Sequence, residues 1–169
     1  MLNILQNEYG LFETIISLKN WEKYWNKALE IRLNVGGDAI IDEIHDIHEK
    51  GYNYLVENQD QILKVIIDSI FNEYKNFIRL YEDQENEDNC SIFEISEKSK
   101  LKFLIQPKGI YIMDVSKNNM PYIGYEFSCS WDEEHDLGLM LYKTSVVDIG
   151  EGDVAFLSWV AEEALERNV

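Results

Sequence analysis

Cysteine and proline are scarce in this chain, with two of each in 169 residues. Cys90 and Cys129 lie far apart, match no metal-ligand spacing and frame no disulfide scaffold, so reduced thiols in a cytoplasmic protein are the expectation. No stretch approaches the roughly 20 apolar residues of a membrane span. The opening segment, Met1–Glu8, has no basic run ahead of an apolar one, and no secretory signal is expected there. A Gly-rich phosphate loop, a Gly-x-Ser-x-Gly elbow, a Cys-x-x-Cys pair and a dinucleotide fingerprint are all missing. Gly36-Gly37 is a bare pair. No cofactor and no metal site is assigned, and an enzyme is less expected than a binding protein.

Basic residues are also few. Lys and Arg number 15 against 32 Asp and Glu, giving a formal net charge of -17. Such a surface repels phosphate backbones and anionic headgroups, so neither nucleic acid nor membrane is an expected partner. A basic protein is electrostatically favoured. Plain solubility is the simpler explanation of the same excess. The sequence sets no oligomeric state.

Aromatic residues are plentiful, with 10 Tyr, 7 Phe and 4 Trp, which argues for a packed core. The length fits one domain over residues 1–169. Leu11–Leu18 and Ala28–Val35 alternate like half-buried antiparallel strands. Between them, Trp21, Tyr24 and Trp25 read as a connection whose aromatics form a lid. Asp38 is placed to cap a helix reaching about Val56. Gly51 lies in its apolar stripe. Asn58 and Gln61 then open a second helix with the stripe Ile62, Ile66, Ile70, Tyr74 and Phe77. The short connection predicts an antiparallel helical hairpin.

Glu82–Asn89 has no apolar residue and reads as a solvated loop. Ser96 caps a short helix that Pro107 ends. Strands are expected at Ile110–Val115 and Tyr122–Trp131, then a long strand or a bent pair of strands over Leu137–Ile149. Asp153 opens a final helix. The predicted fold class is α+β, an antiparallel sheet with the helical hairpin and the C-terminal helix packed on one face.

The densest polar cluster is Trp131, Asp132, Glu133, Glu134, His135 and Asp136. It falls at the expected turn between two strands, a placement that suits a binding site. Oxygen ligands beside one imidazole could hold a divalent ion, and a carboxylate–His pair could act as a general base. The bland alternative is a solvated turn that an Asp stabilises.

The stretch Gly124-Tyr125-Glu126-Phe127-Ser128-Cys129-Ser130-Trp131-Asp132-Glu133-Glu134-His135-Asp136-Leu137-Gly138-Leu139 resembles the signature of an uncharacterised bacterial domain family. That signature runs Gly-x-x-Phe-x-Cys-x-Trp-Asp-x-Glu-His-Gly-x-Gly-Val. Asp136 stands at its second Gly and Leu139 at its Val. Val146–Gly150, Ala155-Phe156 and Leu101–Pro107 are similar to the family as well. The family carries no assigned activity. Its members resemble small immunity-type proteins that neutralise bacterial toxins, and the resemblance implies such a role.

A second candidate is His45-Asp46-Ile47-His48-Glu49. Two His one helical turn apart can chelate zinc. The spacing is not His-Glu-x-x-His, and surface His beside acids is the expected reading. The resulting expectation is an acidic protein-binding module. The alternative is a metal-dependent or carboxylate/His enzyme centred on 131–136, or a hairpin with a purely structural role.

Overall fold

The computed structural model describes residues 4–82 and 95–168. Six strands form one sheet in chain order: β1 (Phe12–Ile16), β2 (Ile31–Gly36), β3 (Ile105–Lys117), β4 (Met120–Cys129), β5 (Asp132–Tyr142) and β6 (Ser145–Gly150). Among the described residues four α-helices accompany it: α1 (Lys19–Trp25), α2 (Asp46–Glu57), α3 (Gln59–Glu82) and α4 (Ser158–Glu166). The fold is α+β. No helix among the described residues is long and apolar enough to cross a membrane. Cys90 and nearly all of the acidic Glu82–Asn89 stretch lie outside the described residues.

The sheet departs from the expected all-antiparallel form at one place. β2 and β3 run parallel, with Leu33 opposite Ile110 and Val35 opposite Ile112. The cause is the crossover: α2 and α3 carry the chain back to the starting end before β3 begins, which a hairpin cannot do. All other neighbouring pairs are antiparallel.

The strand alternation splits the core in two. One face presents Ile31, Leu33, Ile110, Ile112, Tyr125 and Phe127, packed with Trp21, Leu55, Ile62, Ile66 and Ile70. The other face presents Tyr111, Met113, Tyr122 and Met140, packed with Ala155, Val160, Ala161 and Ala164. α4 therefore lies on the opposite face from α1–α3. The single helical face expected from sequence is replaced by helices on both sides. The reason is visible in the glycines. A Cβ on Gly124 would stand 1.5 Å from the Ala155 carbonyl oxygen, and one on Gly138 would stand 2.4 Å from that of Glu151. Only bare backbone lets the 3-10 turn Gly152–Ala155 lie directly on β4 and β5.

The helices also differ from the reading by periodicity. Trp21 and Trp25 sit on a short helix, where their rings pack on each other and on Phe127, with Trp21 also against Tyr125. They are a lid, as expected, but over the sheet face. Their indole N–H groups donate to Gln59 O at 3.1 Å and Ile105 O at 2.9 Å. The stripe on α3 is buried as its spacing requires, with Ile62, Ile66 and Ile70 fully enclosed.

Asn58 alone separates α2 from α3. That is shorter than the two to five residues of an antiparallel helical hairpin. Accordingly α2 rests on β3 and β4 through Gly51, Ile112 and Pro121, while α3 runs on to Trp131. Asp38 does cap a helix, but not the expected one. Its Oδ1 accepts from the Ser158 N–H at 2.8 Å, at the start of α4, and α2 starts eight residues later, at Asp46.

Candidate functional site

The signature stretch is built from the sheet outward. Phe127 pairs with Leu137, and Cys129 pairs with Asp132. Residues 133–136 thus bulge out of β5 opposite Ser128 alone, so the cluster is a strand bulge beside a tight turn. Trp131 turns inward, edge-on to Tyr74 and stacked on Phe77 at 6.1 Å. The Cys129 thiol donates to Asp132 O at 3.4 Å, and burial pushes its pKa up to about 12, so it stays protonated and inert.

Asp132 is buried and closes the bulge. Its Oδ1 accepts the backbone N–H groups of Glu134 at 3.2 Å and His135 at 3.0 Å, and the His135 ring Nδ1 lies 3.0 Å from the same oxygen. The hydrogen bond and charge of Asp132 hold the His135 pKa above its ordinary value. Asp136 takes φ +60°, the left-handed conformation expected of the Gly it replaces. Its carboxylate pairs with Lys108. Glu133 and Glu134 are left exposed.

Lys108 links this bulge to a second cluster, which sequence reasoning missed. The buried Glu126 carboxylate receives Lys108 Nζ at 2.8 Å, Arg32 at 3.3 Å and the Tyr111 hydroxyl, which itself accepts from Arg32. Burial, then Glu126, drives the Tyr111 pKa upward. Gly109 makes room, since a Cβ there would meet Glu126 and Tyr111 at 3.0 Å. Strand alternation puts Arg32 and Glu126 on the Tyr111 face, in line across Gly109. Their meeting depends on β2–β3 register across a crossover of some seventy residues, which no local pattern carries.

The third cluster lies where β2 ends. At the N-terminus of α2, His45 and His48 stack with ring centroids 5.6 Å apart. The expected surface pair is half right. His45 is exposed, but His48 is fully buried. Its Nδ1 accepts the His45 backbone N–H at 3.0 Å, satisfying one of the orphan donors of the helix start. Its Nε2 lies 3.1 Å from Asp114 Oδ1, on β3. Asp114 is also 3.7 Å from His45 Nδ1, and Glu43 is 3.7 Å from His45 Nε2. Burial holds the His48 pKa below the ordinary imidazole value against the pull of Asp114. Asp114 carries no motif in the sequence; only the parallel pairing of Gly36 with Met113 brings it to the end of β2.

No curated protein and no solved structure matches the chain. Residues 11–157 match the family described as "Domain of unknown function (DUF6985)". They contain all six strands and the whole signature stretch, and the chain belongs to that family.

Proposed function

We propose that this chain is a protein-binding module whose partner is basic, received at the end of the sheet where β2 runs into α2. One observation carries the reading. From Asp38 to Glu49 the chain has five carboxylates and no Lys or Arg, and Ile40, in their midst, is 86% exposed. Asp114 adds a sixth carboxylate beside them. Cations gather at the other end of β2 and β3. Lys19, Lys23 and Lys27 lie on and just after α1, and Lys98, Lys100 and Lys102 lie in the 3-10 turn Lys98–Phe103. Tyr24 on α1 donates to Lys98 O, joining the two.

The carboxylates of 38–49 and Asp114 thus gather at one end of β2, where Lys117 also closes β3. The lysines at the other end are mixed with Glu22, Glu30 and Glu97. An acidic end orients a basic partner during encounter and speeds association, while an exposed apolar side chain supplies an anchor. A basic toxin met by an immunity-type protein is one specific form of this chemistry. The 131–136 cluster supports a carboxylate/His enzyme less well, because Asp132 and Asp136 already have partners inside the fold.

The test is capture of partners from the native host with the wild-type chain and with a D42K/E43K variant, at low and high salt. A basic protein retained at low salt, released at high salt and lost with the variant supports the reading. A partner that is acidic, or indifferent to both salt and charge reversal, overturns it.

A further inference from the structure

We infer that His45, His48 and Asp114 form a binding site for a single transition-metal cation of the zinc class. The inference does not rest on the docking of a basic protein, and Asp114 and Glu43 belong to both surfaces. The three side chains offer ligand atoms that all lie within 4.8 Å of one another. In a tetrahedral zinc site with bonds of about 2.0–2.1 Å, neighbouring ligand atoms stand roughly 3.3 Å apart. The separations of 3.1 Å from Asp114 to His48 and 3.7 Å from Asp114 to His45 bracket that value.

Three further features support it. His48 is fully buried, and its Nε2 faces Asp114 without a well-aligned hydrogen bond. Glu43 lies against the far nitrogen of His45, where an outer carboxylate orients a ligating imidazole. An open cleft of about 590 Å³, lined by Glu43, Ile44, His45, Asp46 and Ile47, exposes the His45 side of the cluster to solvent. The cluster also sits at the carboxyl end of the parallel β2–β3 pair, where open sheets place their ligands. Two imidazoles and one carboxylate suit zinc better than calcium or magnesium, which prefer oxygen alone.

One contact opposes the site, and its size can be weighed. The His48 Nδ1 accepts the His45 N–H, so the neutral ring carries its proton on Nε2. A metal on Nε2 requires the proton to move to Nδ1, which leaves that N–H and the His45 N–H as two donors facing each other. Leaving a buried donor unpaired lowers affinity by roughly ten- to a hundredfold. Structural zinc sites bind many orders of magnitude more tightly than that. The tautomer switch is therefore a signature of binding and not a bar to it.

The experiment is calorimetric titration of Zn²⁺ into the full chain, with His ring nitrogens followed by ¹⁵N NMR. His45→Ala and Asp114→Asn are the variants, since both side chains are partly exposed; hydrogen exchange of the α2 amides confirms that they fold. The expected result is one zinc per chain, at least tenfold weaker in each variant, with the His48 proton moving from Nε2 to Nδ1 on binding. Absence of zinc binding to the wild-type chain, or binding that both variants leave unchanged, overturns the site.

Discussion

The chain places His beside carboxylates twice, at 131–136 and at 42–49, and the structure uses them in opposite ways. At the bulge, Asp132 is buried and spent on its own backbone, while His135 lies exposed above it. At the start of α2 the imidazole of His48 is buried, and the carboxylate it faces, Asp114, is partly exposed on another element. The first cluster closes on itself. The second has atoms facing one another with room between them. In the dense polar motif Asp132 holds the bulge together and leaves Glu133, Glu134 and His135 exposed, whereas the second cluster is split between α2 and β3.

The largest contrast is in what each region tolerates. Gly124→Ala in the signature drives a Cβ into the backbone of Ala155, which no rotamer change relieves. Equilibrium urea unfolding should show a loss of about 3 kcal/mol or more. Gly51→Ala, on α2, meets side-chain atoms of Pro121 and Ile112 at 2.6 and 2.9 Å. Those belong to a Pro ring and a β-branched side chain and give way only in part, while Ala recovers about 1 kcal/mol of helix propensity, so the net loss should stay at about 1–2 kcal/mol. Equal losses would mean that the 3-10 turn Gly152–Ala155 is not pressed onto β4.

Asp132→Ala comes next. It strips the acceptor from two backbone N–H groups in a half-buried bulge, a loss of roughly 2 kcal/mol in the same assay. A change within about 0.5 kcal/mol, the range of ordinary surface sites, would show that the bulge closes without its carboxylate.

The smallest effect is the pH dependence, where the two regions should have opposite signs. The His135 pKa is raised in the folded chain, so its stabilisation is full below pH 6.5 and fades as pH rises through the folded pKa. The His48 pKa is lowered, so its contribution is full above pH 6.5 and is lost as pH falls through the window down to the folded pKa. Stability profiles of metal-free His135→Ala and His48→Gln chains against wild type should diverge on opposite sides of pH 6.5.

Much of the fold is legible in the residues themselves. The α3 stripe and the alternation of β4 fix local structure, because each element buries one face of a regular repeat. The parallel pairing and the split of helices across both faces are not legible, since they depend on where a crossover returns the chain. Asp38 shows the difference most simply. Its type announces a helix cap, and it does cap a helix, but one that begins 120 residues further on. The same limit hid the third member of the His45–His48 cluster. His45 and His48 stand out in sequence, whereas Asp114 becomes their neighbour only through the register of β2 against β3.

The most direct test sets the two clusters side by side: titration of Zn²⁺ into His135→Ala and into His45→Ala. If Asp132 is committed to its backbone and the α2 cluster is open, His135→Ala binds zinc as the wild-type chain does and His45→Ala binds it at least tenfold more weakly. Zinc binding lost with His135→Ala and kept with His45→Ala would contradict the account.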